Sequence, residues 1–149
     1  MGFTYEDIVK FMDGYFRDFS LYGQDPKTQP RMNEYFAPDL EFIPYLEGDS
    51  HLTNREQFYQ LCIHPPIQET LKTWHLVVDD RQKIVAAMVN TELKHKKTGE
   101  VKVDAWFNCV YHLKLDEKNT IKIAKMQFFF EIKPETANVD KLLHPERVR

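Results

Sequence analysis

The sequence predicts an α+β fold, with helices first and long antiparallel strands after them, and three observations carry that prediction. Up to Cys62 the apolar residues recur at spacings of three and four, as on one face of a helix. From Glu69 onward the spacing becomes two, as in strands with one buried face. Short turn-forming groups then cut the alternating part into four pieces. Helices followed by a run of strands is the order of a domain whose helices pack on one face of a sheet. No repeat, linker or low-complexity stretch divides residues 1–149, so one domain is expected, with a loosely held tail from Pro134 to Arg149.

The first helix opens at Thr4, whose hydroxyl can cap free amides, and Glu6 and Asp7 suit the positive end of its dipole. Ile8, Met12, Tyr15, Phe19 and Tyr22 form its apolar stripe, and Gly23 marks its end. A shorter helix is expected from Pro30 to Phe36, with Met32, Tyr35 and Phe36 inward, then a short strand from Asp39 to Pro44 and a turn at Gly48-Asp49-Ser50. Thr53-Asn54-Arg55-Glu56 reads as a capping box that launches a third helix carrying Phe58, Leu61 and Cys62. His64-Pro65-Pro66 stops it, because proline supplies no helical amide. Four strands follow at about Leu71 to Val78, Lys83 to Lys94, Val101 to Leu115 and Thr120 to Lys133. In the third of these, Val103, Ala105, Phe107, Cys109, Tyr111 and Leu113 share an apolar face that should meet the helices. Lys102, Asp104, Trp106, Asn108, Val110 and His112 share the other, which is either solvated or a dimer face.

Composition narrows the function classes. A net charge of −3 provides no field to attract nucleic acid, and Lys94-His95-Lys96-Lys97 is followed at once by Thr98-Gly99, the tip of a hairpin. No signal peptide and no apolar stretch long enough to span a bilayer is expected, so a cytoplasmic protein without membrane contact is predicted. Cys62 and Cys109 each lie inside an apolar run, and two buried free thiols are favoured over one disulfide. There is no phosphate loop, dinucleotide fingerprint or nucleophile elbow, and no cofactor is expected. No close pair of metal ligands occurs either; His75 and His112 are assigned to opposite faces of the sheet.

The order of long helix, short helix, Phe36-Ala37-Pro38-Asp39, capped third helix and four long strands resembles SnoaL-like proteins of the nuclear transport factor 2-like superfamily. The resemblance covers nearly the whole chain, and Lys72-Thr73-Trp74-His75-Leu76 is similar to the Thr-x-His that begins the long strands of that family. It implies a cone-shaped, curved, mostly antiparallel sheet of cystatin-like form, with a pocket closed by the N-terminal helices. It also implies a homodimer formed through the outer sheet face. Members include polyketide cyclases, scytalone dehydratase and ketosteroid isomerases, together with many proteins that catalyse nothing.

The resemblance carries over to particular residues. Dehydratases of this family pair the Thr-x-His histidine with an aspartate at the end of the first helix, which orients the imidazole as it removes a proton. His75 matches the histidine; the aspartate position falls on Tyr22, with Asp25 three residues beyond and Asp18 one turn earlier. Tyr15 resembles the first-helix tyrosine of the steroid isomerases. Their base and strand acid fall near Ile43 and Tyr111, so that constellation is incomplete here. Tyr45, with Glu41 on the same segment, lies where dehydratases place a substrate-contacting tyrosine. The first reading is a cofactor-free lyase or isomerase for a small hydrophobic organic molecule. In it His75 is the general base, Tyr15 and Tyr22 bind or polarise the substrate, and Asp25 orients the base. Tyr45, Phe19, Phe107 and Tyr111 contact the ligand, within walls drawn from Phe16, Phe42, Phe128 and Phe130. The second reading is a non-catalytic ligand-binding or dimerisation module, with His75 a core histidine. The third is assembly with a larger partner, anchored on Trp106 and His112.

Overall fold

The computed structural model describes residues 3–45, 51–62 and 67–130, apart from the side chains of residues 102 and 103. Helix α1 spans Tyr5–Gln24 and a 3-10 helix spans Pro26–Glu34. Strand β1 (Phe36–Pro44) and helix α2 (Arg55–Cys62) follow, then strands β2 (Ile67–Asp79), β3 (Ile84–His95), β4 (Val101–Leu115) and β5 (Ile121–Phe130). The expected turn at Gly48–Ser50, the proline stop at His64–Pro66, the last residues of the final strand and the tail from Pro134 lie outside the described residues. Among the described residues no helix is long and apolar enough to cross a membrane.

Helix α1 begins as its sequence dictates. The Thr4 hydroxyl accepts from the Asp7 amide and the Asp7 carboxylate accepts from the Thr4 amide, a reciprocal capping box. Its stripe of Ile8, Met12, Tyr15, Phe19 and Tyr22 is buried, joined by Phe16. The next helix differs from expectation: it starts at Pro26 rather than Pro30 and is of 3-10 type. Asp25 caps it, its carboxylate accepting from the Lys27 amide, and Pro26 sits where a missing amide costs nothing. Pro30 lies inside it and has no amide with which to continue an α-helical ladder. Phe36 consequently opens β1 instead of closing the helix. The capping of α2 is shifted by one residue: Asn54 accepts from the Gln57 amide, and Gln57, rather than Glu56, reaches back to the Thr53 amide.

The five strands form one sheet in the order β1-β5-β4-β3-β2. The β1–β5 pair is parallel and the other three pairs are antiparallel. Val85, Ala87, Val89 and Thr91 of β3, with Ala105, Phe107, Cys109, Tyr111 and Leu113 of β4, are buried on the inner face. Helix α1 crosses that face over β2, and α2 lies against β1. Tyr15, Phe16, Phe36 and Tyr111 meet there at ring-centroid distances of 5.0–5.9 Å, mostly edge to face. That geometry adds roughly 0.5–1.5 kcal/mol per pair to the burial of the rings themselves.

One irregularity decides where the site residues fall. Between Leu71 and Thr73 the β2–β3 register slips: Leu71 pairs with Thr91, but Thr73 pairs with Asn90. Lys72 is the extra residue of a β-bulge, and an extra residue reverses which side chains face inward. Ile67, Glu69 and Leu71 therefore face the helices before the bulge, and Trp74 faces them after it, against Val89. Helix α1 holds the bulge in place. The Ser20 hydroxyl accepts from the Leu71 amide at 3.1 Å, and Asp13 accepts from the Trp74 indole at 3.0 Å. The Trp74 ring stacks on Phe16 at 5.2 Å.

Candidate functional site

Between the inner sheet face and the helices lies a cavity of about 170 Å³. Phe16, Phe19, Phe42, Phe58, Phe107 and Phe128 supply most of its wall. Its polar groups are few: the Tyr15 and Tyr111 hydroxyls, the Cys62 thiol and the Glu69 carboxyl. Tyr15, Tyr111, Phe19 and Phe107, expected to act on or contact a ligand, all line this cavity. Phe16, Phe42 and Phe128 join them, and Phe130 is not part of the wall.

Glu69 is the residue that sequence reasoning missed. Glu69 is half-buried, and its carboxyl accepts from the Thr91 hydroxyl at 2.9 Å. Burial lifts its pKa above the ordinary carboxylate value, and the Thr91 bond opposes that rise. Thr91 is fully buried, in register with Leu71, so a polar pair is set into an apolar face. The missed signal was Glu69 itself, two residues before Leu71 on the same face, with Thr91 continuing the inward series Val85, Ala87, Val89. The tyrosines form a second polar group. Tyr15 and Tyr111 pack edge to face at 5.6 Å, and burial pushes the pKa of both up, so they remain neutral donors. Burial also raises the Cys62 thiol, which disfavours a thiolate nucleophile.

The other expected residues stand elsewhere. His75 faces outward, opposite Met88, with its ring parallel to Trp106 at 6.1 Å and exposed to solvent. The expectation of a pocket base at His75 is corrected by the bulge at Lys72, which turns Trp74 inward in its place. His112 is on that outer face too, bonded to Gln127 at 2.7 Å, which corrects its assignment to the side opposite His75. Asp25 is exposed and serves as the cap of the 3-10 helix, so it orients no imidazole. Tyr45 stacks on Phe129 at 4.4 Å and accepts from the Gln127 amide at 3.2 Å, across the sheet from the cavity. Glu41 pairs with His51 at 3.2 Å outside the cavity as well. Tyr22 is buried at the end of α1, where it borders a smaller cavity on the far side of Glu69. Among the described residues no group of three or more His, Cys, Asp or Glu side chains is placed to hold a metal ion.

No sequence-family model matches the chain, and no curated protein resembles it in sequence. Solved structures resemble it in fold. A nuclear transport factor 2-like protein from Anabaena variabilis superposes with a TM-score of 0.65 at 12% identity, covering 89% of this chain and 96% of that one. A ketosteroid isomerase-like protein from Erwinia carotovora atroseptica gives 0.61 at 12% identity, covering 85% and 95%. A SnoaL-like protein from Jannaschia sp. CCS1 gives 0.59 at 14% identity, covering 83% and 84%. Helices packed on one face of a mostly antiparallel five-stranded sheet, shared across nearly the full length of such structures, give this chain the nuclear transport factor 2-like fold.

Proposed function

We propose that the protein is a cofactor-free lyase or isomerase that moves a proton on a small hydrophobic organic molecule. Glu69 is its proton carrier, and the hydroxyl pair of Tyr15 and Tyr111 polarises the oxygen of the substrate. The observation that carries this reading is a half-buried carboxyl, held by one hydroxyl, in a cavity walled mostly by aromatic rings. A carboxyl whose pKa is raised by burial binds a proton more firmly than an ordinary carboxylate, which suits it to take up a proton and return it. Neutral hydroxyls in a dry site stabilise the negative charge that develops on a carbonyl oxygen when a neighbouring proton leaves. The volume of about 170 Å³ suits a small cyclic molecule, since cavities of roughly 150 Å³ hold benzene.

The second reading is a binding module of the same fold without chemistry. It is favoured by the wall itself, where Glu69 is the one carboxyl among the described residues. One experiment separates the two. Small cyclic carbonyl compounds are incubated with the protein in deuterium oxide, and deuterium at the carbon beside the carbonyl is followed by NMR. Protein-dependent incorporation is the expected result. Saturable binding with no incorporation anywhere in the series would leave the binding module standing and remove the enzyme.

The outer sheet face supports a homodimer as part of this reading. Val77, Met88, Trp106 and Phe129 are large apolar side chains exposed on it, at 72%, 48%, 38% and 43%. Static light scattering at several concentrations is expected to give twice the chain mass, and Val77→Asp with Met88→Asp is expected to give the monomer. A monomer for the unaltered protein at every concentration would sink this part.

A further inference from the structure

Glu69 borders two cavities, and only one of them has a shape for an organic ligand. The second, of about 30 Å³, is lined by Phe19, Tyr22, Gly23, Pro26, Cys62, Ile67 and Glu69. It shares Phe19, Cys62 and Glu69 with the larger cavity, so Glu69 stands between them. A volume of that size holds about two water molecules. Its rim includes Pro26, which is exposed, so it reaches towards solvent.

The side chain that singles this cavity out is Tyr22. It is 5% exposed, its hydroxyl makes no side-chain hydrogen bond among the described residues, and its ring is fixed edge to face between Phe19 and Tyr59 at 6.0 Å from each. A hydroxyl without a protein partner bonds to water or loses its bond on folding, and among the described residues no buried side-chain nitrogen or oxygen lacks a partner, so the Tyr22 hydroxyl is open to water. Gly23 lets α1 approach Glu69 closely here, since a β-carbon would collide with the Glu69 carbonyl oxygen and lie 2.9 Å from its β-carbon.

From this arrangement we infer that the small cavity is a water site, in which ordered water bridges the Tyr22 hydroxyl to the Glu69 carboxyl and connects Glu69 to solvent while the larger cavity is filled. The water accepts the Glu69 proton as one O–H bond breaks and another forms, bulk water takes the charge away, and the reverse transfer restores the carboxyl. No electron moves. Under the proton-transfer reading, on which this consequence rests, a proton taken from the substrate exchanges with solvent before it is returned.

High-resolution crystallography of the unaltered protein and of Tyr22→Phe, with the Glu69 titration followed by carbon-13 NMR of labelled glutamate, tests the inference without a substrate. Water density within hydrogen-bond reach of both groups is expected in the unaltered protein and is expected to be lost in Tyr22→Phe. The Glu69 proton affinity is expected to rise roughly three- to tenfold in that variant, because a donor that relays to the carboxylate is gone. A dry cavity would overturn the inference, and so would a titration that Tyr22→Phe leaves unmoved. Bridging water beside a Glu69 that titrates like an ordinary carboxylate would uphold the water site and remove the proton carrier, so the two ideas fail separately.

Discussion

Gly23→Ala is expected to lower the thermal midpoint by about 3–10 °C, even though alanine is the better helix former. Two effects oppose each other. Alanine in a helix is favoured over glycine by roughly 1 kcal/mol, but position 23 sits at the end of α1 where that gain is incomplete. Against it stands a collision with the backbone of β2, at the Glu69 carbonyl oxygen. Backbone in the middle of a paired strand cannot move aside as a side-chain tip can, so α1 and β2 must separate, and overpacking of this kind costs about 1–3 kcal/mol. Gly14, also on α1, is the internal comparison. A β-carbon there meets the Tyr35 hydroxyl at 3.1 Å, the end of a side chain, so Gly14→Ala is expected to change stability by less than about 1 kcal/mol. Calorimetry of the two variants decides the matter. Equal midpoints, or a gain at position 23, would show that α1 and β2 do not approach as closely as described.

How far the site was legible follows from where local rules suffice. The stripe from Ile8 to Tyr22 and the Thr4–Asp7 cap were readable because spacing and capping chemistry lie within one helix. The inward series of β4, from Ala105 to Leu113, was readable because no bulge interrupts it between those residues until Leu113. His75 was not, since its orientation depends on one extra residue at Lys72, and that bulge is fixed by Ser20 and Asp13 from another element. A period-two reading carried from Leu71 puts His75 inward, and a single slip reverses every later residue. Glu69 was missed for the converse reason. The expected strand begins at about Leu71, which leaves a glutamate one pleat earlier outside it, although β2 starts at Ile67. The Thr-x-His resemblance pointed to the right strand and the wrong side of it.

Glu69→Gln is expected to move stability and turnover in opposite directions, and the pH dependence gives the sign. The folded state raises the Glu69 pKa above its usual value of 4.5, chiefly by burial. Below that value the carboxyl is protonated in both folded and unfolded chains, so the glutamate and glutamine proteins should unfold alike. Above it the unfolded chain releases the proton while the folded chain still holds it. The unfolded state is then favoured, and stability falls as pH rises until the folded-state pKa is passed. Glutamine removes this penalty and keeps an oxygen that can accept from Thr91. The two midpoints should therefore coincide near pH 4 and diverge towards pH 8 in favour of Glu69→Gln, by about 1.4 kcal/mol for each pH unit separating the two pKa values. Turnover, where the deuterium experiment supplies a substrate, should fall by about 10²–10⁴, since the amide carries no transferable proton. A residue whose ionised form weakens the fold while its removal stops the reaction is kept for chemistry rather than for packing. Parallel melting curves, or a glutamate protein that is the more stable at alkaline pH, would mean that the carboxyl is solvated and that the cavity has lost its proton carrier.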